Sequence, residues 1–255
     1  SGNTSSSAPL QMANLVEVAR RAVQGTLGDD ETSANALNSI ISVGTSAGGA
    51  RAKAVLGWNQ ATGDLVSGQF DLPDGFEHWL LKFDGMGLDR ALGPSQQYGR
   101  IEYAYSKMAG AAGVVMSPCW LLHENGRAHF MTKRFDRTDD GDKIHTATLC
   151  ALDHADYKKP GEYSYAEALN VFRALKLGRR EAEQFFRRMV FNVIARNQDD
   201  HTKNISFLLD TDGTWYLSPA YDVTWSYMPG NFWVDSHQMS INGKRDNFVV
   251  ADLLS

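Results

Sequence analysis

A polar segment at positions 196–204 stands between a helix and a hairpin, and its setting constrains the fold more than any other part of the sequence. Before it, apolar side chains recur on one helical face across 180–197: Phe185, Phe186, Met189, Val190, Val193 and Ile194. After it, two short apolar stretches flank the turn sequence Asp-Thr-Asp-Gly, which is typical of a β-hairpin. Because a hairpin folds back on itself, we expect Asp222, which follows its second strand, to return close to Asn204.

The two halves of the chain differ in pattern. Strands are predicted at 54–58, 79–83, 116–122 and 128–135, with one helix at 98–112, whereas helices at 165–177 and 180–197 dominate later. Asn125-Gly126 between two apolar runs predicts a tight hairpin turn. We therefore expect an α+β chain of two lobes around a cleft, the first rich in strands and the second mainly helical.

The expected domain limits follow from this change of pattern. Residues 1–9 are small and polar and are expected to form a disordered, tag-like segment. The strand-rich lobe covers 10–136 and begins with a helix at 10–24, and the helical lobe covers 137–255. The apolar pattern restarts at the last residues, so we expect the second lobe to be cut short.

Composition excludes several classes of protein. The net charge of -5 argues against a broad basic face for nucleic acid and makes a basic partner easier to accommodate. Two cysteines in 255 residues do not make a disulfide framework. There is no apolar run of membrane-spanning length and no signal-peptide pattern in the sequence, so we expect a cytoplasmic protein.

The polar segment carries the residue types that phosphoryl transfer needs. Asp199 and Asn204 lie five positions apart, the spacing of the catalytic Asp and metal-binding Asn of protein kinases. Asp222 supplies a second carboxylate, and Mg²⁺ prefers carboxylate and amide oxygens. Lys203 is placed to neutralise a transferring phosphate. The same segment is also compatible with a helix-end loop of solvated polar side chains, and His201 with a structural histidine.

Residues upstream fit a nucleotide site. Lys82 lies in an apolar strand, where an ammonium group needs a partner, and Glu102 in the next helix is a candidate for it. The glycine-containing loop at 44–53 precedes Lys82, and its small residues allow close approach of phosphate. Phe135 follows a strand that is placed to meet adenine. Alternatively, Lys82 is an edge-strand lysine, Glu102 is a surface acid, the loop at 44–53 is a mobile turn and Phe135 is a core residue.

Together these blocks resemble the HipA family of bacterial serine/threonine kinases, the toxins of HipA-HipB toxin-antitoxin modules. The resemblance runs in order through about four-fifths of the chain, at 46–53, 81–82, 101–103, 133–137, 199–204 and 217–222. The last three blocks are the most specific.

The resemblance implies roles for individual residues. Asp199 is the catalytic base, assisted by Lys203, and Asn204 and Asp222 hold Mg²⁺. Glu102 pairs with the phosphate-binding Lys82, and Ser46 or Thr45 is the site of inactivating autophosphorylation. The implied ATP contacts are Ser46, Ala47, Gly48, Lys53, Lys82, Lys133, Phe135 and His201. Lys133 stands where the family often has an acid, so only its backbone is expected to contact adenine.

The resemblance also implies partners. Family members phosphorylate aminoacyl-tRNA synthetases, and a helix-turn-helix antitoxin that binds operator DNA holds them, so DNA is expected only indirectly. The N-terminal subdomain of larger members is absent or reduced in this sequence. Other hypotheses stay open: a metal-dependent phosphoester hydrolase using Asp199, Asp200, His201, Asp222 and His154, a catalytically silent antitoxin-binding module, and a lipid or small-molecule kinase.

Overall fold

The computed structural model describes residues 52–69, 71–84 and 97–254. The expectations for the N-terminal segment, the helix at 10–24 and residues 44–51 of the glycine-containing loop, including Thr45, Ser46, Ala47 and Gly48, lie outside these residues. The chain divides into two compact units. The first holds the described residues up to Tyr103 together with Pro118–Asp142, and the second holds Ala104–Ser117 and the described residues from Lys143 onward. Each unit combines strands with helical residues, as the mixed fold class predicts.

An antiparallel sheet of five described strands forms the first unit. Its strands are β1 (Lys53–Trp58), β2 (Leu65–Ser67), β3 (Glu77–Lys82), β4 (Cys119–Glu124) and β5 (Arg127–Lys133), in the spatial order β2-β1-β3-β5-β4. The predicted hairpin joins β4 to β5, and both of its central residues, Asn125 and Gly126, have positive φ (44° and 80°). This conformation matches the right-handed twist of the flanking strands. Trp79, Leu81 and Met131 are fully buried in this sheet.

Helix α1 (Tyr98–Ala111) begins against β5. Its close approach depends on Gly99, because a Cβ at this position would overlap the carbonyl oxygen of Ala128. The first turns of α1 therefore lie against the sheet, and Glu102 is buried there.

The second unit combines helices with an antiparallel sheet in the order β6-β7-β8. Its elements are β6 (His145–Thr148), α2 (Leu149–Leu152), α3 (Tyr165–Ala174), α4 (Arg179–Ile194), a 3-10 turn (Thr202–Asn204), β7 (Ser206–Leu209), β8 (Trp215–Leu217) and α5 (Val250–Leu253). A capping box between Ser164 and Glu167 starts α3. Phe172, Phe185 and Phe207 pack together in the core of this unit.

The buried face of α4 differs in part from the predicted one. Phe185 and Met189 are buried, but Phe186 and Ile194 are 43% and 76% exposed. Arg188 takes a place on the buried face instead. A six-residue apolar set is wider than the stripe that a helix buries against one neighbour, so part of it remains outside.

Candidate functional site

The segment from 196 to 204 forms a loop that a side-chain amide closes. Asn204 Nδ2 donates a hydrogen bond to the backbone carbonyl of Asp199 (2.8 Å). Because a carbonyl only accepts, the amide nitrogen of Asn204 must point into the loop, which leaves its Oδ1 as the acceptor atom of this side chain. The Asp199 side chain is 45% exposed. The five-residue spacing thus produces one compact loop with a solvated carboxylate at one end and an oriented amide at the other.

Asp222 is brought to this loop through its neighbour, Tyr221. The Tyr221 hydroxyl donates to the backbone carbonyl of Lys203 (2.6 Å) and accepts from Ser206 Oγ (2.6 Å). Burial raises the pKa of Tyr221, so the phenol keeps its proton and remains a donor. The hairpin therefore returns the chain to the loop at 196–204 next to Lys203, and the predicted proximity of the Asp222 side chain to Asn204 stays a prediction.

The backbone at Asp222 is itself unusual. Its φ is 53°, in the left-handed region that few residues other than glycine adopt. Aspartate is one of the residue types that tolerate this conformation, and such positions concentrate at functional sites. The backbone conformation at Asp222 fits both a functional residue and a turn residue, so the role of its carboxylate stays a prediction.

Tyr157 contacts two of the basic side chains of the loop, those of Lys203 and His201. Lys203 Nζ lies 4.3 Å from the centroid of the Tyr157 ring, in cation–π geometry. The His201 ring meets the same tyrosine edge-on at 5.7 Å, and its Nε2 lies 3.7 Å from Asp199 Oδ1. Sequence reasoning did not find Tyr157, because it lies more than forty residues before the loop with no pattern linking the two.

In the first unit, Lys82 and Glu102 form a buried ion pair. Lys82 Nζ lies 2.6 Å from Glu102 Oε1, and the two side chains are 5% and 2% exposed. Lys53 is directly opposite Lys82 in the β1–β3 register and is also buried. Opposite residues of an antiparallel pair share one face of the sheet, so two ammonium side chains are concentrated there. The carboxylate of Glu102 pairs with one of these two ammonium groups, that of Lys82.

The expected adenine-binding stretch is partly engaged within the first unit. Lys133 Nζ forms ion pairs with Glu77 (2.7 Å) and Asp139 (2.9 Å), which raise the pKa of this lysine. The backbone N–H of Lys133 donates to Pro118, and that of Arg134 donates to His78. Phe135 is half-buried beyond them. The lysine side chain is thus engaged by carboxylates and its backbone N–H by Pro118, and the expected backbone contact to adenine stays a prediction.

Two observations weigh against the hydrolase hypothesis. Asp200 is buried, and its carboxylate accepts hydrogen bonds from Tyr165, His237 and the backbone of Gln238, so it is not presented as a metal ligand. Among the described residues, no group of three or more His, Cys, Asp and Glu side chains is arranged to hold a metal ion. His154 is exposed on a separate turn. A kinase-type Mg²⁺ site differs in kind, since Mg²⁺ binds through one or two carboxylates together with phosphates and water.

Arg188 is a buried residue near the site that sequence reasoning missed. It donates to the backbone carbonyl of Ser218, four residues before Asp222. Burial lowers the pKa of its guanidinium to about 10, so it stays charged at neutral pH. The signal was an arginine on an otherwise apolar helix face, three positions after Phe185.

Comparisons with known proteins agree on one family. The HipA-like C-terminal domain family matches residues 45–253. Two relatives from Sinorhizobium fredii (strain NBRC 101917 / NGR234) are named "Putative kinase Y4mE" and "Putative kinase Y4dM". The first is 27% identical over 128 residues, which is 46% of this chain and 30% of the relative. The second is 29% identical over 150 residues, which is 51% of this chain and 35% of the relative.

A solved structure shares the fold. It is a chain of the toxin-antitoxin complex of HipA, HipB and operator DNA from Shewanella oneidensis MR-1, with a TM-score of 0.67 and 18% identity, covering 99% of this chain and 58% of that chain. The present chain spans about a third of the length of the curated relatives that it matches. In the ranges that the structure describes, none of the helices combines the length and apolar character that crossing a bilayer requires.

Proposed function

The chain belongs to the family of HipA-like C-terminal domains, and from that premise we propose that it is an ATP- and Mg²⁺-dependent serine/threonine protein kinase of the HipA toxin type. The proposal takes the two units as the two lobes of a kinase. The first unit handles the phosphates of ATP, and the second holds the metal and the attacking hydroxyl.

One observation carries the proposal: the buried pair of Lys82 and Glu102, with Lys53 opposite. Burying an ion pair removes both charges from water, and hydrophobic residues of similar volume are often as stable or more so. Stability is therefore a weak reason to keep this pair. Phosphate binding explains the pair better. In kinases a carboxylate holds a strand lysine in the position where it contacts the phosphates of ATP.

The proposed chemistry divides between the residues of the catalytic loop and Asp222. Asp199 orients the attacking serine or threonine hydroxyl and accepts its proton. Its side chain is 45% exposed, so a substrate hydroxyl can reach the carboxylate. Asn204 Oδ1 and Asp222 supply the amide and carboxylate oxygens suited to Mg²⁺. Mg²⁺ held by these oxygens would supply positive charge to the phosphates of ATP. Lys203 adds positive charge beside the loop, and His201 completes the nucleotide contacts.

The acceptor and the partners belong to the same proposal. We infer a protein substrate from the translation apparatus, such as an aminoacyl-tRNA synthetase, and autophosphorylation at Ser46 or Thr45. A helix-turn-helix antitoxin of the HipB kind is the proposed partner, with DNA bound only through it. A net charge of -5 supports a basic partner protein, and the proposed location is the cytoplasm.

Phosphoryl transfer from labelled ATP tests the proposal. The full chain is incubated with Mg²⁺ and [γ-³²P]ATP, alone and with cell lysate, and labelled residues are identified by mass spectrometry. Asp199→Asn should abolish labelling while Mg-ATP still binds in calorimetry. Asp210→Asn, the same change at an exposed turn of the second unit, should label like the wild type. A folded wild type that does not bind Mg-ATP would refute the proposal.

A further inference from the structure

We propose that Asp200 is a positioning residue that fixes the catalytic loop by anchoring it to two distant segments of the second unit. Asp200 itself touches no substrate in this proposal, and its effect is transmitted through its neighbour, Asp199. The kinetic consequence rests on the proposed kinase function, whereas the anchoring can be measured without it.

Both oxygens of the Asp200 carboxylate are occupied by protein donors. Oδ2 accepts from the Tyr165 hydroxyl (2.7 Å) and from His237 Nδ1 (2.9 Å), and Oδ1 accepts from the backbone N–H of Gln238 (2.7 Å). The Asp200 and His237 side chains are 1% and 2% exposed. Because a carboxylate only accepts, His237 carries a proton on Nδ1.

The anchors come from parts of the chain far from the loop. Tyr165 is the first residue of α3, thirty-five positions before Asp200, and His237 lies thirty-seven positions after it. The contacts continue through Asn192, whose Nδ2 donates to the Tyr165 hydroxyl (3.1 Å) and whose Oδ1 accepts from Asn197 Nδ2 (2.9 Å). The loop is therefore tied at its start, through Asn197, and at its centre, through Asp200, to one continuous network.

Burial makes this network demanding. A carboxylate removed from water is stable only when its oxygens are satisfied, and a half-satisfied polar network is costly. Burial and the nearby Asp200 raise the pKa of Tyr165 well above its ordinary value, so its hydroxyl remains a donor. All three donors reach Asp200 in one conformation of the loop. That conformation also fixes the direction in which the side chain of the preceding residue, Asp199, leaves the backbone.

The alternative is that Asp200 only stabilises the fold. The two roles differ in what changes when a donor is removed. Loss of a purely structural bond lowers overall stability and leaves the turnover of the folded fraction unchanged. Loss of a positioning bond loosens residues 199–204 and lowers kcat, with little change in the KM for ATP.

Tyr165→Phe is the most informative variant, because it removes one donor and keeps the ring that packs against Phe185. Tyr163→Phe is its matched control: its hydroxyl also donates to an aspartate, Asp153, at 2.6 Å, but this bond is exposed and is not part of the Asp200 network. The full-length variants are compared by hydrogen exchange of peptides covering 199–204 and by steady-state kinetics. Asp200→Asn is the more severe change.

We expect Tyr165→Phe to speed exchange in the loop and to lower kcat by roughly 10- to 100-fold, the range of one hydrogen bond to a charged group. The KM for ATP and the control variant should stay near wild type. The proposal would be overturned if hydrogen exchange in residues 199–204 were as slow in Tyr165→Phe as in the wild type. It would also be overturned if exchange became faster and kcat did not change. If the wild type transfers no phosphate, the proposed function fails while loop exchange still decides the anchoring.

Discussion

The buried pair of Lys82 and Glu102 yields the most discriminating prediction. Glu102→Leu or Lys82→Met removes one partner of a pair whose side chains are 2% and 5% exposed. The remaining charge then loses its partner at 2.6 Å while it stays buried, and breaking a buried ion pair costs about 3–5 kcal/mol in proteins. At about 2–4 °C per kcal/mol for a chain of this size, each single variant should melt roughly 6–20 °C below the wild type.

The double variant separates stability from function. Replacing both partners with apolar residues of similar size is often neutral or stabilising, so Lys82→Met with Glu102→Leu should recover most of the lost stability. It should not recover binding of Mg-ATP, because the phosphate-binding lysine is gone. Urea unfolding gives the free energy of unfolding of the wild type, the two single variants and the double variant, which together form a double-mutant cycle. The shift in melting temperature on adding Mg-ATP measures nucleotide binding.

The exposed pair of Arg179 and Glu183 is the matched control. It has the same nitrogen–oxygen distance, 2.6 Å, but its side chains are 91% and 53% exposed. Exposed pairs contribute at most about 1 kcal/mol. Equal losses of unfolding free energy in the buried pair and the exposed pair would refute the reasoning. So would a double variant whose loss of unfolding free energy equals the sum of the losses in the two single variants.

Three further predictions concern single positions. Gly99→Ala should lower the free energy of unfolding by about 1–3 kcal/mol, the cost of overpacking, as measured by urea unfolding. It should also weaken Mg-ATP binding in calorimetry, because the added Cβ displaces α1, and with it Glu102, from the sheet. Tyr157→Leu should lower kcat severalfold where Tyr157→Phe does not, since only an aromatic ring retains the contact with Lys203. Burial raises the pKa of Asp136, but its arginine neighbours outweigh this and hold that pKa below its ordinary value. The stability that Asp136 contributes is therefore present above about pH 4 and lost as the pH falls further, and Asp136→Asn should remove this part of the pH dependence in urea unfolding.

Local chemistry explains which elements could be predicted. Asn125-Gly126 requires two positive φ values and has them, and the Asp-Thr-Asp-Gly turn joins β7 to β8 as expected. Lys82 needed a carboxylate partner in an apolar strand, and the nearest acid in the following predicted helix, Glu102, lies within 2.6 Å. These inferences depended on backbone conformation or on the cost of burying one charge, and both are visible in a few adjacent residues.

Long-range packing explains which features were missed. Tyr157 reaches Lys203 across forty-six positions, and Arg188 is buried because Ser218 accepts from it. Phe186 and Ile194 look like core residues in the helix pattern, yet they are exposed. A helix pattern gives the direction of each side chain, but burial depends on what the rest of the chain places against it.

Asp199 and Asp200 show why that distinction matters for function. The two carboxylates are adjacent and chemically identical, and both were candidate metal ligands in the hydrolase hypothesis. The structure gives them opposite environments: the Asp199 side chain is 45% exposed and that of Asp200 is 1% exposed beneath three donors. A buried carboxylate whose two oxygens both accept from protein donors cannot bind a metal without breaking its network. The proposed function therefore uses Asp199 at the reacting hydroxyl and Asp200 as the residue that positions it, because positioning supplies much of the catalysis.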